Sequence, residues 1–242
     1  MSLIGEEWIS RTGLLLGEEK LTKLENSNVI VVGLGGVGGC VAEMLCRAGI
    51  CNLTIVDGDT VSVSNRNRQL PALVSTFNRP KAEVIAERLK DINPEVNLTV
   101  INEFIRDERV TEILSAQKYD YVVDAIDTLS PKVFLIYRAH QLGLKIVSSM
   151  GAGGKMDPSK IAVADIGKSY NDKLARAVRK QLNRLGLRKG VKVVFSSEEI
   201  MEGVTIIEES QNKKSNVGTI SYMPTAFGLH CASVVIRDIV ND

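Results

Sequence analysis

A glycine-rich run constrains the fold of this chain more than any other feature. "NVIVVG", residues 28–33, predicts a buried strand, and "GLGGVG" then opens a segment with helical apolar spacing. Glycines between a strand and a helix let backbone N–H groups at the helix start hold a phosphate. The glycines of this loop are Gly33, Gly35, Gly36 and Gly38. The pattern predicts nucleotide binding, and the alternative is a glycine turn that only allows close packing of helix on strand.

The rest of the chain continues the alternation of strands and helices. Apolar strand runs joined by helices predict a Rossmann-like α/β fold, with a mostly parallel sheet covered by helices on both faces. Beyond residue 155, "KIAVADI" and "VKVVFS" predict strands around a basic helix, and "GTISY" predicts a last strand before a helix near Pro224. We therefore expect a single domain over residues 1–242, with a nucleotide-binding core (1–155) and a C-terminal α/β extension (156–242).

Composition excludes several classes of protein. A chain of 242 residues, 44% of them hydrophobic, can bury a full core, and a net charge of +1 excludes a globally basic nucleic-acid binder. The N-terminus has no basic start followed by an apolar stretch, so we expect a cytoplasmic location. Residues 217–236 carry no charge, but polar residues and a proline interrupt them. We expect a buried helix there and no membrane span.

The segment "VDGDTVSVSNRNRQL", residues 56–70, discriminates between kinds of nucleotide enzyme. Asp57 ends the second predicted strand, 19 residues beyond Gly38, where a carboxylate can accept from a ribose hydroxyl. Hydride transfer develops little charge at phosphate, whereas phosphoryl or adenylyl transfer requires cationic and polar donors around it. The donors that follow Asp57 are Asn65, Arg66, Arg68, Gln69 and Lys81. The alternative for Arg66 is a solvated side chain. The alternative for Lys81 is an ordinary lysine at a helix terminus.

An aspartate after the fourth predicted strand completes this set. Asp127 closes "DAID", and we predict that it lies at the strand end and binds a metal ion beside the cations.

The ordered motifs "GLGGVG", "VDGDTVSVSNRNRQ", "RPKAE", "INP" and "DAID" resemble the ATP-binding half of the ubiquitin-activating-enzyme superfamily. The resemblance covers roughly residues 8–155. The superfamily includes bacterial adenylyltransferases that activate small sulfur-carrier proteins. It implies a ThiF/MoeB-type ATP-binding fold in which ATP and magnesium adenylate a carboxylate.

The resemblance also implies roles for individual residues. Asp57 would hold the ribose, with Asp59 beside it at the nucleotide, and Lys81 would lie at the α-phosphate. Asp127 would hold magnesium, and Arg11 would reach into the ATP site of a neighbouring subunit, which implies a homodimer. The phosphate-binding residues would be Asn65, Arg68 and Gln69.

Cysteine usage narrows the subfamily. Sulfur-carrier adenylyltransferases of this kind usually carry two CxxC pairs for zinc, and this sequence has none. A catalytic, thioester-forming cysteine is not expected either, because the cysteines fall in apolar segments where buried, reduced thiols are the better interpretation. The four cysteines are Cys40, Cys46, Cys51 and Cys231.

The C-terminal half, with "GAGGKMDP" and "ADIGKSYNDKLARAVRKQL", is similar to the tRNA threonylcarbamoyladenosine dehydratase branch of the superfamily. That resemblance implies ATP-dependent cyclisation of threonylcarbamoyladenosine next to the tRNA anticodon. The adenylated carboxylate would be attacked by the nucleoside's own carbamoyl group, so no enzyme nucleophile would be required. A monovalent cation near "GAGG" and a sulfur-relay protein partner remain open.

A basic segment independently favours tRNA. Between Lys173 and Lys192 the chain has eight Lys or Arg residues and no acidic residue, although its total charge is only +1. Such segregation favours contacts with a phosphate backbone over a solvated helix face, and helical geometry predicts two or three true contacts among four candidates. The candidates are Arg176, Arg179, Lys180 and Arg184.

Two other functions stay open at the level of sequence. One is an adenylyltransferase that acts on the C-terminal glycine of a partner protein, and the other is an NAD-binding oxidoreductase or redox sensor. The basic segment and the missing CxxC pairs oppose the first, and the cationic loop with Lys81 opposes the second.

Overall fold

The structure is a computed structural model that describes residues 2–200, 203–206 and 216–242. The strands are β1 (Asn28–Val32), β2 (Asn52–Val56), β3 (Asn97–Ile101), β4 (Tyr121–Asp124), β5 (Ile146–Ser149), β6 (Ile161–Asp165), β7 (Lys192–Ser196), β8 (Thr205–Ile206) and β9 (Asn216–Val217). The α-helices are α1 (Ser10–Leu16), α2 (Glu18–Asn26), α3 (Gly38–Arg47), α4 (Lys81–Ile92), α5 (Asp107–Ser115), α6 (Leu129–Gln141), α7 (Lys173–Arg184) and α8 (Tyr222–Asn241).

A seven-stranded sheet in the order β3-β2-β1-β4-β5-β7-β6 forms the centre of the molecule. All neighbouring strands are parallel except β6, which is antiparallel to β7. The predicted Rossmann-like α/β fold is confirmed. The strand order reverses between β1 and β4, and the carboxyl ends of strands at such a switch point are where ligands bind in open α/β sheets.

Alternating side chains of β1 show how the sheet separates two cores. Val29 and Val31 belong to one apolar cluster, and Ile30 and Val32 belong to the other. The first cluster contains side chains of α2, α3, α4 and α8, and the second contains side chains of α5, α6 and α7. Both faces of the sheet are therefore covered, which explains why its strands read as continuous apolar runs.

The C-terminal segment contributes to the same sheet through β6 and β7. The prediction that "GTISY" forms a strand is wrong, because only Asn216 and Val217 pair with β8, and α8 begins at Tyr222. The intervening segment meets the loop between β2 and α4, where the Asn67 side-chain amide donates to the Thr219 carbonyl at 2.9 Å. Among the described residues, no helix is both long and apolar enough to cross a bilayer.

Candidate active site

The glycine loop between β1 and α3 lies at the switch point and closes tightly on itself. Gly33 has a φ of +89°, and a Cβ at Gly38 would lie 1.7 Å from the Gly33 carbonyl oxygen. A Cβ at Gly33 would also meet the Ala125 carbonyl at 2.8 Å, in the loop after β4. These positions require glycine on steric grounds. The glycines thus bring the start of α3 close to the ends of β1 and β4.

The outer part of the loop faces the segment that carries the predicted phosphate-binding residues. A Cβ at Gly36 would lie 2.7 Å from Pro224 and 3.0 Å from the Arg68 carbonyl. A Cβ at Gly35 would meet only the Gln69 side-chain amide, at 3.6 Å. Gly35 is therefore the position where the loop is least enclosed by protein.

Asp57 is tied to the glycine loop. One carboxylate oxygen accepts from the Leu34 N–H at 2.6 Å, and the other accepts from the Asp59 N–H at 2.8 Å. Burial raises the pKa of Asp57, while the Lys81 ammonium and the two N–H donors favour its charged form. Each oxygen retains a lone pair, so the carboxylate can position the loop and still accept from a ribose hydroxyl.

Lys81 is the first residue of α4 and is 5% exposed. Its ammonium lies 3.0 Å from an Asp59 carboxylate oxygen, and the backbone N–H of Lys81 donates to the Asp59 backbone carbonyl at 2.9 Å. An ordinary helix-terminal lysine would extend into solvent, because its charge costs free energy to bury. The ion pair with Asp59 instead holds a cation close to Asp57 and the glycine loop.

In the polar loop before α4, some side chains form hydrogen bonds that stabilise the loop, and one keeps a polar atom without a hydrogen bond within the described residues. Asn65 is buried, and its side-chain oxygen accepts from the Ser62 N–H at 3.2 Å, which stabilises the turn. The guanidinium of Arg68 donates to the Ser64 carbonyl at 3.0 Å and to the Asn67 side chain at 2.8 Å. The Gln69 side-chain oxygen is buried and makes no hydrogen bond within the described residues. Gln69 thus has an unused polar atom beside Gly35.

Asp127 is exposed in the loop after β4. It was predicted to lie at the strand end, but β4 ends three residues earlier at Asp124. Asp124 is the first aspartate of "DAID", and it is fully buried.

A buried ionic cluster beneath that loop escaped the sequence-based prediction. The Lys132 ammonium lies 2.6 Å from an Asp124 oxygen, which also accepts from the Ser148 hydroxyl at 2.5 Å. The other Asp124 oxygen accepts from the Ile126 N–H at 3.1 Å. Asp124 and Lys132 are both 0% exposed. The signal was available as a single lysine within the apolar helical run "PKVFLI" of α6.

The glycine-rich segment after β5 contains a third buried ammonium, after those of Lys81 and Lys132. Lys155 Nζ donates to the Ser196 carbonyl at 2.7 Å and the Glu198 carbonyl at 3.2 Å, and it lies 3.6 Å from an Asp172 oxygen. Burial lowers the pKa of Lys155, and Asp172 opposes that shift. Asp172 also accepts from the Gly151 N–H and, as the cap of α7, from the Ala175 N–H. The sequence left a monovalent cation near "GAGG" open. The Lys155 ammonium already lies among the Ser196, Glu198 and Asp172 oxygens.

Burial makes the cysteines poor nucleophiles. Burial raises the pKa of the Cys40 thiol to about 11 and that of Cys46 to about 12, and it also raises that of Cys231. A thiolate is the reactive form of cysteine, so these groups are unreactive at neutral pH. Within the part of the chain that the structure describes, no cluster of three His, Cys, Asp or Glu residues could hold a metal ion.

The basic helix α7 presents two different sides. Ala175, Val178 and Leu182 are buried at helical spacing on the second core cluster. Four basic residues of the helix are exposed, and three of them, Arg176, Lys180 and Arg184, repeat every fourth position, while Lys173 begins the helix.

Arg179 differs from the other three candidates. Its guanidinium donates to the Ile166 carbonyl at 3.2 Å and to the Ser169 carbonyl and hydroxyl, each at 2.8 Å. Three candidates therefore share an exposed stripe, and the fourth anchors the helix.

Arg11 lies exposed on α1, beside two apolar side chains that are also exposed. Leu14 is 88% exposed and Leu15 is 83% exposed. Helix α1 packs against α2 in this single chain.

Known proteins resemble this chain both in sequence and in structure. The chain is 36% identical over 241 residues to a tRNA threonylcarbamoyladenosine dehydratase of Bacillus subtilis, covering 96% of this chain and 94% of the relative. A crystal structure of the E. coli tRNA N6-threonylcarbamoyladenosine dehydratase in complex with ATP superposes with a TM-score of 0.89 at 34% identity. That match covers 98% of this chain and 97% of the other.

Molybdopterin-synthase adenylyltransferases match less of the sequence. A molybdopterin-synthase adenylyltransferase of Haemophilus influenzae is 35% identical over 135 residues, covering 56% of this chain and 54% of the relative. The ThiF family, in contrast, is matched over residues 9–242, which include both the glycine loop and the basic helix. The chain therefore belongs to the ThiF family.

Proposed function

We propose that this chain is an ATP-dependent tRNA threonylcarbamoyladenosine dehydratase. The observation that carries the proposal is made at the carboxyl ends of the strands at the switch point. There a glycine loop, Asp57 and the buried Lys81 are held together. The ATP-bound E. coli dehydratase, similar over 98% of this chain, supports ATP as the nucleotide. The names of the relatives support threonylcarbamoyladenosine in tRNA as the second substrate.

The reaction has two steps. A carboxylate oxygen of the threonyl group first attacks the α-phosphorus of ATP, forming a C–O–P linkage and breaking the bond to the leaving pyrophosphate. The carbamoyl group of the same nucleoside then attacks the activated carbonyl carbon, loses its proton and displaces AMP, which retains the carboxylate oxygen. The product is cyclic and has lost one water. Holding both reacting groups in one nucleoside supplies proximity to the second step.

The residues of this chain serve the first step. In this proposal the glycine-loop N–H groups and the Gln69 amide contact the phosphates, and Asp57 accepts from the ribose. Lys81 and Arg68 stabilise the negative charge that develops between the α-phosphate and the departing pyrophosphate. Asn65 holds the loop that carries Arg68, as its buried hydrogen bond with the Ser62 N–H indicates. No thiolate is required, in agreement with the raised thiol pKa values.

Asp127 is the residue that we propose to hold magnesium. Its carboxylate suits Mg²⁺, which takes oxygen ligands and combines one or two protein carboxylates with substrate phosphates and water. A site with a single protein carboxylate therefore fits magnesium that is bound together with ATP. When bound, the ion supplies positive charge to the phosphate oxygens. A monovalent cation that used the Ser196 and Glu198 carbonyls would compete with the Lys155 ammonium for these oxygens.

The basic helix α7 is the surface that we propose for tRNA. Arg176, Lys180 and Arg184 form an exposed stripe, and such a row of cations suits the regularly spaced phosphates of RNA. Arg179 contributes mainly by holding the helix on the loop at Ser169. We further expect a cytoplasmic enzyme that can meet a sulfur-relay protein, and affinity purification with this chain as bait tests that association.

We also propose a homodimer in which Arg11 enters the partner's ATP site. The support is that Arg11 shares α1 with two almost fully exposed leucines, and contiguous exposed apolar side chains commonly mark an interface. Mixing an Arg11→Ala chain with an Asp127→Ala chain should restore one intact site per heterodimer. Activity of exchanged dimers, verified by differently tagged chains, tests the proposal. Inactive mixed dimers would exclude action between subunits.

The proposed activity is tested by nucleoside mass spectrometry of tRNA that carries threonylcarbamoyladenosine. We expect the protein and ATP to convert this nucleoside to a product that has lost one water. ATP–pyrophosphate exchange should depend on the modified tRNA and not on a small carrier protein. Exchange that requires a carrier protein would instead identify an adenylyltransferase, and binding of NAD without ATP turnover would identify an oxidoreductase.

A further inference from the structure

A cavity of about 350 Å³ opens at the start of α7, outside the nucleotide site. This volume is within the range of pockets that hold small ligands, and it exceeds what a single water or ion requires. The cavity is lined by cations, carboxylates and an aromatic ring together. Its main lining residues are Tyr170, Asn171, Lys173, Arg176 and Glu199.

Tyr170 is the aromatic residue of this cavity, and it is 58% exposed. The edge-to-face contact of its ring with Phe195 fixes its orientation, with centroids 5.5 Å apart and planes at 69°. Phe195 is buried in β7, so the support is rigid. An oriented and half-exposed ring offers a flat apolar surface to a planar ligand.

Three cations line the cavity together with this ring, and one of them, Arg179, already donates to the Ser169 carbonyl. Lys173 and Arg176 are exposed, and neither side chain forms an ion pair or hydrogen bond within the described residues. Arg176 also begins the exposed stripe that continues through Lys180. The cavity therefore lies at one end of the proposed path of the tRNA backbone.

The carboxylates of the cavity narrow the ligand class. Glu199 and Asp172 both line it, and the two carboxylate oxygens of Asp172 are already engaged by N–H donors. A free phosphate would be repelled by Glu199, whereas a nucleotide can direct its phosphate to the cations and its base amino or imino hydrogens to a carboxylate. The combination of ring, cations and acceptor thus fits an entire nucleotide.

We propose that this cavity binds one unstacked nucleotide of the substrate RNA, with its base on the Tyr170 ring and its flanking phosphates at Lys173 and Arg176. The inference rests on the proposed function and adds a base-binding site to it. Sequence-specific and single-stranded RNA recognition commonly uses bases splayed out of loops and stacked on aromatic side chains. The anticodon loop of a tRNA offers such bases.

The test compares three substitutions at Tyr170 by their effect on RNA affinity. Tyr170→Phe retains the ring and should bind tRNA like the wild type. Tyr170→Ala, and Tyr170→Leu, which keeps apolar bulk against Phe195, should each weaken binding about 5- to 150-fold, the range for loss of one stacked base. Filter binding or fluorescence anisotropy with an anticodon stem-loop measures this, with ATP binding as the folding control.

The salt dependence of binding separates stacking from charge. The slope of log affinity against log salt should be unchanged in Tyr170→Leu, because stacking releases no counterions. In the double variant Lys173→Gln and Arg176→Gln the slope should become shallower by about 0.7 to 0.9 for each lost phosphate contact.

Each remaining outcome contradicts a definite part of the proposal. Equal affinities of Tyr170→Phe and Tyr170→Leu would overturn base stacking. Equal losses of RNA affinity in Tyr170→Phe and Tyr170→Ala would show that the RNA contacts the Tyr170 hydroxyl group and does not stack on the ring. A wild-type protein that binds no RNA, or prefers an acidic protein, would overturn the proposed function itself and not only this cavity.

Discussion

The carboxyl end of the sheet at the switch point, called here the nucleotide edge, and the exposed side of α7 both carry charges to which we assign a function, but the two regions hold these charges differently. At the nucleotide edge, Lys81 is buried and paired with Asp59, and Asp57 is fixed by two N–H groups. On α7, Arg176 and Lys180 extend into solvent without partners among the described residues. One region is preorganised, and the other remains adjustable.

This difference matches the tasks that we propose. Charge that develops in a transition state is best stabilised by groups that are already oriented, because they need no reorganisation during the reaction. Long-range attraction of a polyanion needs only cations on the correct surface. Substitutions should therefore change rate at the nucleotide edge and affinity on α7.

The largest effect is expected for Asp127→Ala. Loss of the proposed magnesium ligand should reduce ATP turnover by at least about 1,000-fold, as for removal of a central electrostatic contact. The thermal midpoint should stay near that of the wild type, because the residue is exposed. Pyrophosphate release measures the rate, and Asp91→Ala on exposed helix surface is the control. Near-normal turnover would refute the metal assignment.

Lys132→Met tests how much the buried cluster beneath the nucleotide edge contributes to the stability of the fold. It leaves the Asp124 carboxylate buried without its ion-pair partner, so the free energy of unfolding should fall by about 3 to 5 kcal/mol. Ser148→Ala removes one hydrogen bond to the same charge and should cost about 1.5 to 3 kcal/mol. Denaturant titration measures both changes. Losses below about 0.5 kcal/mol in both variants would show that the cluster is dispensable.

Arg68→Ala and Lys81→Ala should each lower the adenylation rate about 100- to 1,000-fold with a smaller change in KM for ATP. The reason is that their charge is needed mainly as the pyrophosphate leaves. Single-turnover kinetics separates rate from binding. Arg66→Ala and Lys90→Ala are the exposed neighbours that serve as controls. Weaker ATP binding with an unchanged rate would contradict a role in the transition state.

The smallest effects on rate are expected on α7. Changing the exposed stripe, Arg176, Lys180 and Arg184, to Gln should weaken tRNA binding and reduce the salt slope by about 0.7 to 0.9 per true contact. Arg179→Gln should instead lower stability by about 1 to 3 kcal/mol with an unchanged slope, because its hydrogen bonds hold the helix on its loop. Identical slopes for the triple variant and the wild type would exclude the stripe as a phosphate-binding surface.

Sequence reasoning predicted the features that follow from local pattern. The glycine loop, the alternation of strands and helices and the basic helix depend on spacing along the chain, and the fold class was confirmed. The Asp124 and Lys132 cluster depends on tertiary packing of α6 under β4, which spacing alone does not reveal. Arg179 could not be distinguished from its neighbours either, because its partners come from a loop 10 to 13 residues earlier.

The failed strand at "GTISY" has the same origin. β-branched and aromatic residues favour a strand, but a strand also needs a neighbouring edge with which to pair. Here the Thr219 carbonyl accepts from the side-chain amide of Asn67, in the loop between β2 and α4. Tertiary contact therefore outweighed local preference.

Asp172 has a consequence for communication between the two substrates. One carboxylate joins Gly151 beyond β5, the first turn of α7 and the buried Lys155 ammonium. If the proposed RNA binding displaces α7, this carboxylate is the contact through which the displacement would reach the segment after β5, and β5 pairs with β4, whose loop carries Asp127. Any resulting coupling between RNA and ATP would be reciprocal, because thermodynamic linkage requires each ligand to change the affinity for the other by the same factor.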